Sequence, residues 1–299
     1  MKKKIYIAGA GGMLGKAFYE IFKDEYDLKC SDIDVNEDWL EFLDFRNEID
    51  YADAIQLFKP DYLFHLGAHT NLEWCELNQD DTYLTNTLSV ENATRIANSL
   101  NIPLLYISTA GIFDGKQELY DDWDTPNPLG AYARSKYMGE RYVCENSLRY
   151  IICRAGWMMG GGPQKDKKFI NKLVKQVQAG ATELNIVNDK DGTPTYTYDF
   201  AKTVKKLIEL ELWGLYNCVC HGQTSRYEVA EEFLRLINRE DIKLNAVNYD
   251  FFKEEYFAQR PASERLITKK LELRKVSQMQ DWRDALKIYL ENEFNHIKK

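Results

Sequence analysis

The chain has 299 residues, 44% hydrophobic and 13% aromatic, with 39 basic against 47 acidic side chains and a net charge of −8. This composition excludes an intrinsically disordered chain and suits one large or two modest domains. The acidic balance and scattered basic residues speak against a nucleic-acid partner. Six cysteines without a C-x-x-C spacing, beside four histidines, give no reason to expect a metal site.

Met1-Lys2-Lys3-Lys4 opens into an apolar, glycine-bearing stretch that soon meets charged residues, so it reads as a first strand at 5–8 and not as a leader. No window approaches the ~18 to 20 apolar residues of a membrane span, so no membrane partner and a cytoplasmic location are expected. Branched and aromatic runs at 5–8, 62–66, 104–108 and 150–153 read as buried strands. Between them Leu14, Ala17, Phe18, Ile21 and Phe22, and later Val90, Ala93, Ile96, Ala97 and Leu100, have helical spacing. The alternation predicts an α/β fold whose parallel sheet is doubly wound with helices. After Arg154 the regularity weakens at Gly160-Gly161-Gly162-Pro163. Helical patterns then appear at 169–179, 198–210, 227–237 and 282–294, with a strand at 215–219. The expected division is a dinucleotide-binding domain at 1–156, joined by 187–217, and a smaller mixed α/β C-terminal lobe at 157–186 and 218–299 for the substrate. Cys218 and Cys220 are expected as small buried hydrophobes in a reducing compartment.

Directly after the first strand, Gly9-Ala10-Gly11-Gly12-Met13-Leu14-Gly15 places glycines as G-x-x-G-x-x-G and opens a helix. Glycines permit a tight turn and close backbone approach, and the helix N-terminus offers N–H groups to a pyrophosphate. A second strand around 28–31 ends in Asp32, suited to accept hydrogen bonds from both ribose hydroxyls of an adenosine. No arginine adjoins Asp32 to attract a 2′-phosphate, so NAD(H) is expected over NADP(H), which remains possible. Asp44-Phe45 is expected to flank the adenine.

Tyr132 and Lys136 stand at i and i+4, on one helix face, where an ammonium is expected to lower the phenol's pKa and make it a usable general acid. The same spacing at Tyr19/Lys23 and Tyr198/Lys202 reads as ordinary helix surface. Only Tyr132/Lys136 follows a strand ending in Ser108-Thr109, at the sheet edge where a doubly wound fold gathers its ligand crevice.

These features resemble the extended short-chain dehydrogenase/reductases, and among them most closely the dTDP-4-dehydrorhamnose reductases, over nearly the whole chain. The likeness adds His65-Leu66-Gly67-Ala68-His69-Thr70 running to Cys75-Glu76, Ser108-Thr109-Ala110-Gly111-Ile112-Phe113-Asp114-Gly115, and Asn127-Pro128-Leu129-Gly130-Ala131-Tyr132. Further along come Arg154, Trp157, Asp191-Gly192-Thr193-Pro194-Thr195, Gly214-Leu215-Tyr216, Arg260-Pro261 and Arg265-Leu266. The resemblance implies a Rossmann fold and a catalytic set of Thr109, Tyr132 and Lys136, acting on the C4 carbonyl of a nucleotide-linked 4-keto-6-deoxyhexose for polysaccharide biosynthesis. It further implies Leu66-Gly67-Ala68 and Thr70 along the cofactor, Trp157 near the sugar, Arg260 near the nucleotide diphosphate, and a monomer or homodimer. Ala110-Gly111, where such enzymes usually carry Asp-Tyr, and Leu72-Glu73, where they carry Val-Asp, followed by an unusual Trp74, depart from the pattern and leave the sugar open. Met158-Met159 reads as packing. Two alternatives stand beside the reductase: a nucleotide-sugar 4-epimerase or dehydratase that retains NAD, and a regulatory subunit that binds a dinucleotide without turnover.

Overall fold

The computed structural model describes residues 2–297. Its main sheet contains β1 (Lys4–Ala8), β2 (Asp27–Asp32), β3 (Leu40–Phe42), β4 (Tyr62–His65), β5 (Leu104–Thr109), β6 (Tyr150–Ala155) and a last strand, Gly214–Asn217. From one edge the order is Gly214–Asn217, β6, β5, β4, β1, β2, β3, and every pairing is parallel. The sequence order reverses between β1 and β4, and at such a switch point the carboxyl ends of the strands diverge and leave a crevice.

The strands read as unbroken apolar runs because both faces are covered. Side chains alternate along β1: Ile5 and Ile7 enter a cluster with Phe18, Phe22 and Phe64, whereas Tyr6 and Ala8 enter another with Leu63, Val90, Tyr106 and Ile152. The first cluster continues through Phe200, Phe233, Trp282 and Leu286, so the C-terminal helices share a core with the sheet. The helix Gly15–Phe22 (α1) follows the glycine loop and packs against the helix Thr197–Glu209.

Beyond β6 the expected helices appear within a residue of their predicted bounds: Phe169–Gln178, Thr197–Glu209, Arg226–Leu236 and Trp282–Glu293. Short strands knit this region together. Trp157–Met159 pairs with Pro194–Tyr196, Glu183–Val187 with Lys243–Val247, and Asp191–Gly192 lies between Thr224–Ser225 and Ser263–Glu264. The strand expected at 215–219 ends at Asn217, and Cys218 and Cys220 follow it as buried, unbridged thiols. Cys144 differs from the other five cysteines in being exposed. Met159 is core, and Met158 packs beside it. Among the described residues no helix is long and apolar enough to cross a membrane.

One buried charge pair ties sheet to helix. Arg154 of β6 reaches the helix Ala131–Asn146, where its Nη2 meets Glu140 Oε1 at 2.6 Å with both side chains at most 4% exposed. Its guanidinium also lies over the Phe113 ring. Removing one partner strands the other charge out of water. Glu140→Ala is therefore expected to cost about 3–5 kcal/mol in urea unfolding, and Glu140→Leu combined with Arg154→Met is expected to recover most of that loss.

Candidate active site

The glycine loop spends its first N–H groups on β2. Gly9 N and Ala10 N donate to Ser31 O, and Gly11 N donates to Asp32 Oδ2 at 2.8 Å. The N–H groups of Gly12, Met13 and Leu14, at the start of α1, find no hydrogen-bond partner among the described residues and remain for an anion. Gly9 has φ +78°, and a Cβ there would lie 2.2 Å from Gly67 N. At Gly67 the space for a Cβ is filled by the Phe45 ring. The loop, the residues after β4 and the turn after β3 therefore meet within van der Waals distance at the switch point. Leu14 itself is core.

Asp32 does end β2, but its carboxylate is not free: Oδ1 accepts from Asp34 N and Oδ2 from Gly11 N. Asp44 holds Arg46 by both oxygens, and Arg46 reaches on to Asp81. Sequence reasoning missed Arg46, which stands fourteen residues beyond Asp32. Phe45 is buried edge-on against His65. His65 is held between the Tyr51 and Ser89 hydroxyls, and burial, reinforced by Lys136, pushes it down to about 3; it is a neutral strut.

The structure brings Thr109, Tyr132 and Lys136 together at the end of β5. Thr109 Oγ1 accepts from Gly111 N at 3.2 Å, and its hydroxyl lies close enough to the Tyr132 phenol to act on its pKa. Glu76 Oε1 accepts from Ala131 N at 2.6 Å, placing a carboxylate at the start of the helix that carries Tyr132. Gly130 leaves room for it, since a Cβ there would stand 2.6 Å from that oxygen. The expected effect of Lys136 on Tyr132 is corrected. Burial raises the phenol above its ordinary pKa, Cys75 and Glu264 add to the rise, and Thr109 opposes it, while Lys136 is not among the causes. The tyrosine therefore rests as the neutral phenol, the proton-carrying form. Lys136 is only 3% exposed, sits 4.2 Å from the centre of the Tyr106 ring, and is pushed down to about 7 by burial against the opposing pull of Glu140.

Asn86, also missed, holds this arrangement in register. It lies in a turn of π-helix, Leu84–Leu88, a form often found at functional sites. Its amide accepts from His69 N and donates to His69 O and Ser135 Oγ, pinning the loop after β4 to the helix that carries Tyr132.

Arg260 lies within electrostatic reach of Lys168, Lys190 and Arg226, so four cations form one cluster in the later part of the chain. Arg226 stacks 3.6 Å above the Trp157 ring and also lies over Phe169, with no ion-pair partner among the described residues. Burial lowers Arg226 to about 10, with Glu264 opposing and Arg260 adding to the fall. Burial lowers Lys168 to about 8, with Asp166 opposing and Arg226 and Arg260 adding to the fall. An anion bound among these cations would relieve both their desolvation and their mutual repulsion. Arg260, expected near a diphosphate, is partly committed: its Nη1 meets Glu73 Oε1 at 2.7 Å and its Nη2 meets Oε2 at 3.0 Å. Thr70 does not stand free beside the cofactor loop, since its hydroxyl and carbonyl receive Lys168 Nζ. Trp157 donates from Nε1 to Glu264 Oε2 at 2.6 Å.

A seven-stranded doubly wound sheet, a glycine loop at its switch point and a Thr-Tyr-Lys set beside it define an extended short-chain dehydrogenase/reductase. The chain belongs to the RmlD substrate binding domain family, whose model matches residues 2–294. It is 28% identical over 296 residues to a dTDP-4-dehydrorhamnose reductase of Aggregatibacter actinomycetemcomitans, covering 95% of this chain and 97% of the relative. The crystal structure of a dTDP-4-dehydrorhamnose reductase from Clostridium acetobutylicum matches with a TM-score of 0.88 and 30% identity, covering 97% of this chain and 99% of that one. That of the Bacillus anthracis enzyme in complex with NADP matches with 0.87 and 29%, covering 98% and 100%.

The buried ammonium gives a pH signature. Below about pH 7 Lys136 is charged in both folded and unfolded chains, and above its unfolded pKa of ~10.4 it is neutral in both. Between these limits only the folded chain releases the proton, so the folded state gains stability as pH rises. In thermal melts of the protein without ligands, wild type is expected to gain on Lys136→Met steadily from pH 7 to pH 9.5; a constant difference would contradict a depressed Lys136.

Proposed function

We propose that the chain reduces the C4 carbonyl of a nucleotide-linked 4-keto-6-deoxyhexose, in the synthesis of a polysaccharide sugar. The observation that carries this reading is the juxtaposition of the half-buried Thr109 and Tyr132, with buried Lys136 one helical turn on, in a fold that also presents an anion-ready glycine loop and a cluster of four cations. The names of the relatives point to the same reaction.

In this reading Gly9, Gly11, Gly12, Met13, Leu14 and Gly15 hold the cofactor diphosphate, chiefly by backbone. Asp32, Asp44, Phe45, Leu66, Gly67, Ala68 and Thr70 line its adenosine and nicotinamide halves. When bound, the reduced nicotinamide supplies the hydride. Thr109 holds the substrate carbonyl oxygen, and Tyr132 gives its proton to the alkoxide that develops there. Lys136 orients the ribose and offers positive charge as the phenol loses its proton. Lys168, Lys190, Arg226 and Arg260 receive the nucleotide diphosphate, and Trp157 packs near the sugar. The smaller lobe, 157–186 with 218–299, carries the substrate, and 1–156 with 187–217 carries the cofactor.

For the cofactor we infer NAD(H). Among the described residues no basic side chain pairs with Asp32, whose charge would repel a 2′-phosphate, and Arg46 is already held by Asp44 and Asp81. NADP(H), bound by the Bacillus anthracis relative, is the competing choice.

The test is turnover. dTDP- and UDP-linked 4-keto-6-deoxy sugars with NADH or NADPH are expected to give net oxidation of the cofactor and a C4 alcohol identifiable by NMR. Tyr132→Phe is expected to lose about 10² to 10⁴ in kcat. Retained NAD without net oxidation would favour the epimerase or dehydratase. Unchanged function in Tyr132→Phe would favour the regulatory subunit. A tenfold or greater preference for NADPH would overturn the NAD(H) assignment.

A further inference from the structure

Glu264 is a carboxylate in the site that the reaction as derived above does not use. It lies on the short strand Ser263–Glu264, held beside Asp191–Gly192 by the backbone ladder, so its direction is fixed by structure and not by a loop. A Cβ at Gly192 would strike the Trp157 ring, so Trp157 and Glu264 lie against the same rigid ladder. One oxygen is already committed: Oε2 receives Trp157 Nε1 at 2.6 Å. Among the described residues Oε1 receives no hydrogen bond. It points into the space that Gly111 leaves by having no side chain, and a single point there, where a Cβ at residue 111 would stand, is 3.2 Å from Glu264 Oε1 and 3.5 Å from Thr109 Oγ1.

The free oxygen of a half-buried carboxylate and the hydroxyl assigned to the substrate carbonyl thus face one small volume. Two cations, Arg226 and Lys190, lie close enough for Glu264 to act on their charges, and a carboxylate accepts hydrogen bonds without donating any. A group bound at Thr109 therefore has next to it a strong acceptor that requires a donor, and an apolar substituent would leave that acceptor desolvated and unpaired.

We propose that Glu264 is a specificity-determining residue that accepts a hydrogen bond from a hydroxyl or amino group on the sugar carbon next to the reacting carbonyl. This rests on the 4-ketoreductase reading, under which the position is C3, because the other neighbour of C4 carries the methyl group and the ring oxygen. Hydroxyl and ammonium share the donor chemistry, and the substrate set separates them.

The experiment measures kcat and KM for wild type and Glu264→Gln with dTDP- and UDP-linked 4-keto-6-deoxyhexoses carrying a hydroxyl, an amino group or hydrogen at C3. Glutamine keeps the fold's requirement: its carbonyl accepts from Trp157 Nε1, which turns the amide N–H₂ toward the site and replaces an acceptor with a donor. Unchanged melting temperatures establish that the variant is folded. Wild type is expected to prefer the C3-hydroxyl or C3-amino substrate over the C3-deoxy one by about 10- to 100-fold in kcat/KM, in line with a hydrogen bond to a charged group. Glu264→Gln is expected to lose that preference to within about threefold, chiefly by losing the donor-bearing substrate. The same preference in wild type and variant, or no preference in wild type, overturns the assignment. Failure of wild type to turn over any of the sugars with either cofactor instead overturns the reductase reading, and this assignment with it.

Discussion

The site depends on keeping the Lys136 ammonium almost wholly out of water, a placement that costs several kcal/mol unless partners are built around it. The Tyr106 ring lies under it, Glu140 one turn away pulls toward the charged form, and Arg154 then anchors Glu140 to β6. The Tyr106 hydroxyl donates to Lys136 O, and Gly139 leaves the room that contact requires, because a Cβ there would stand 2.9 Å from that hydroxyl. This chain of compensation locks the helix Ala131–Asn146 to β5 and β6, and so sets where Tyr132 meets Thr109. Burial favours the neutral form of both groups, raising the tyrosine and lowering the lysine, so the phenol keeps its proton while the charge on the lysine is supported by Glu140.

A net charge of −8 is no obstacle to ligands with phosphates, because the positive charge is local. Among the described residues, Lys165 contacts Glu37, Lys168 contacts Thr70, and Arg260 contacts Glu73. Each runs from the later part of the chain to the early part. Glu73 and Thr70 occupy two of the cations assigned to the substrate, so a diphosphate arriving there exchanges an internal partner for itself. This exchange limits the electrostatic cost of holding four cations together without ligand.

Much of the fold was legible because burial on both faces of a parallel sheet writes itself as apolar runs, as at Ile5-Tyr6-Ile7-Ala8, and because amphipathic helices repeat with a regular period. The glycine loop was legible for a steric reason, since only glycine fits where Gly9 meets Gly67. Roles set by long-range contact were not. Nothing local marks Asn86 as the link between the loop after β4 and Ser135, or Arg226 as a guanidinium stacked on Trp157. Glu264 is separated from its partner Trp157 by more than a hundred residues. The pKa of Tyr132 was misjudged because the i, i+4 spacing specifies a shared helix face but not the depth at which that face is buried. For Asp32, position at the strand end was readable, but its commitment to Gly11 N was not.

The proposal that Tyr132 delivers a proton while hydride passes to the sugar carbonyl is tested most directly by isotope transfer. Cofactor stereospecifically deuterated at the nicotinamide C4, on one face and then on the other, is supplied with a nucleotide-linked 4-keto-6-deoxyhexose, and the sugar is examined by NMR. Deuterium at sugar C4 from one of the two labelled cofactors, with one equivalent of oxidised cofactor formed, is the result expected. A sugar free of deuterium with both, or a label that stays on the cofactor, would contradict it.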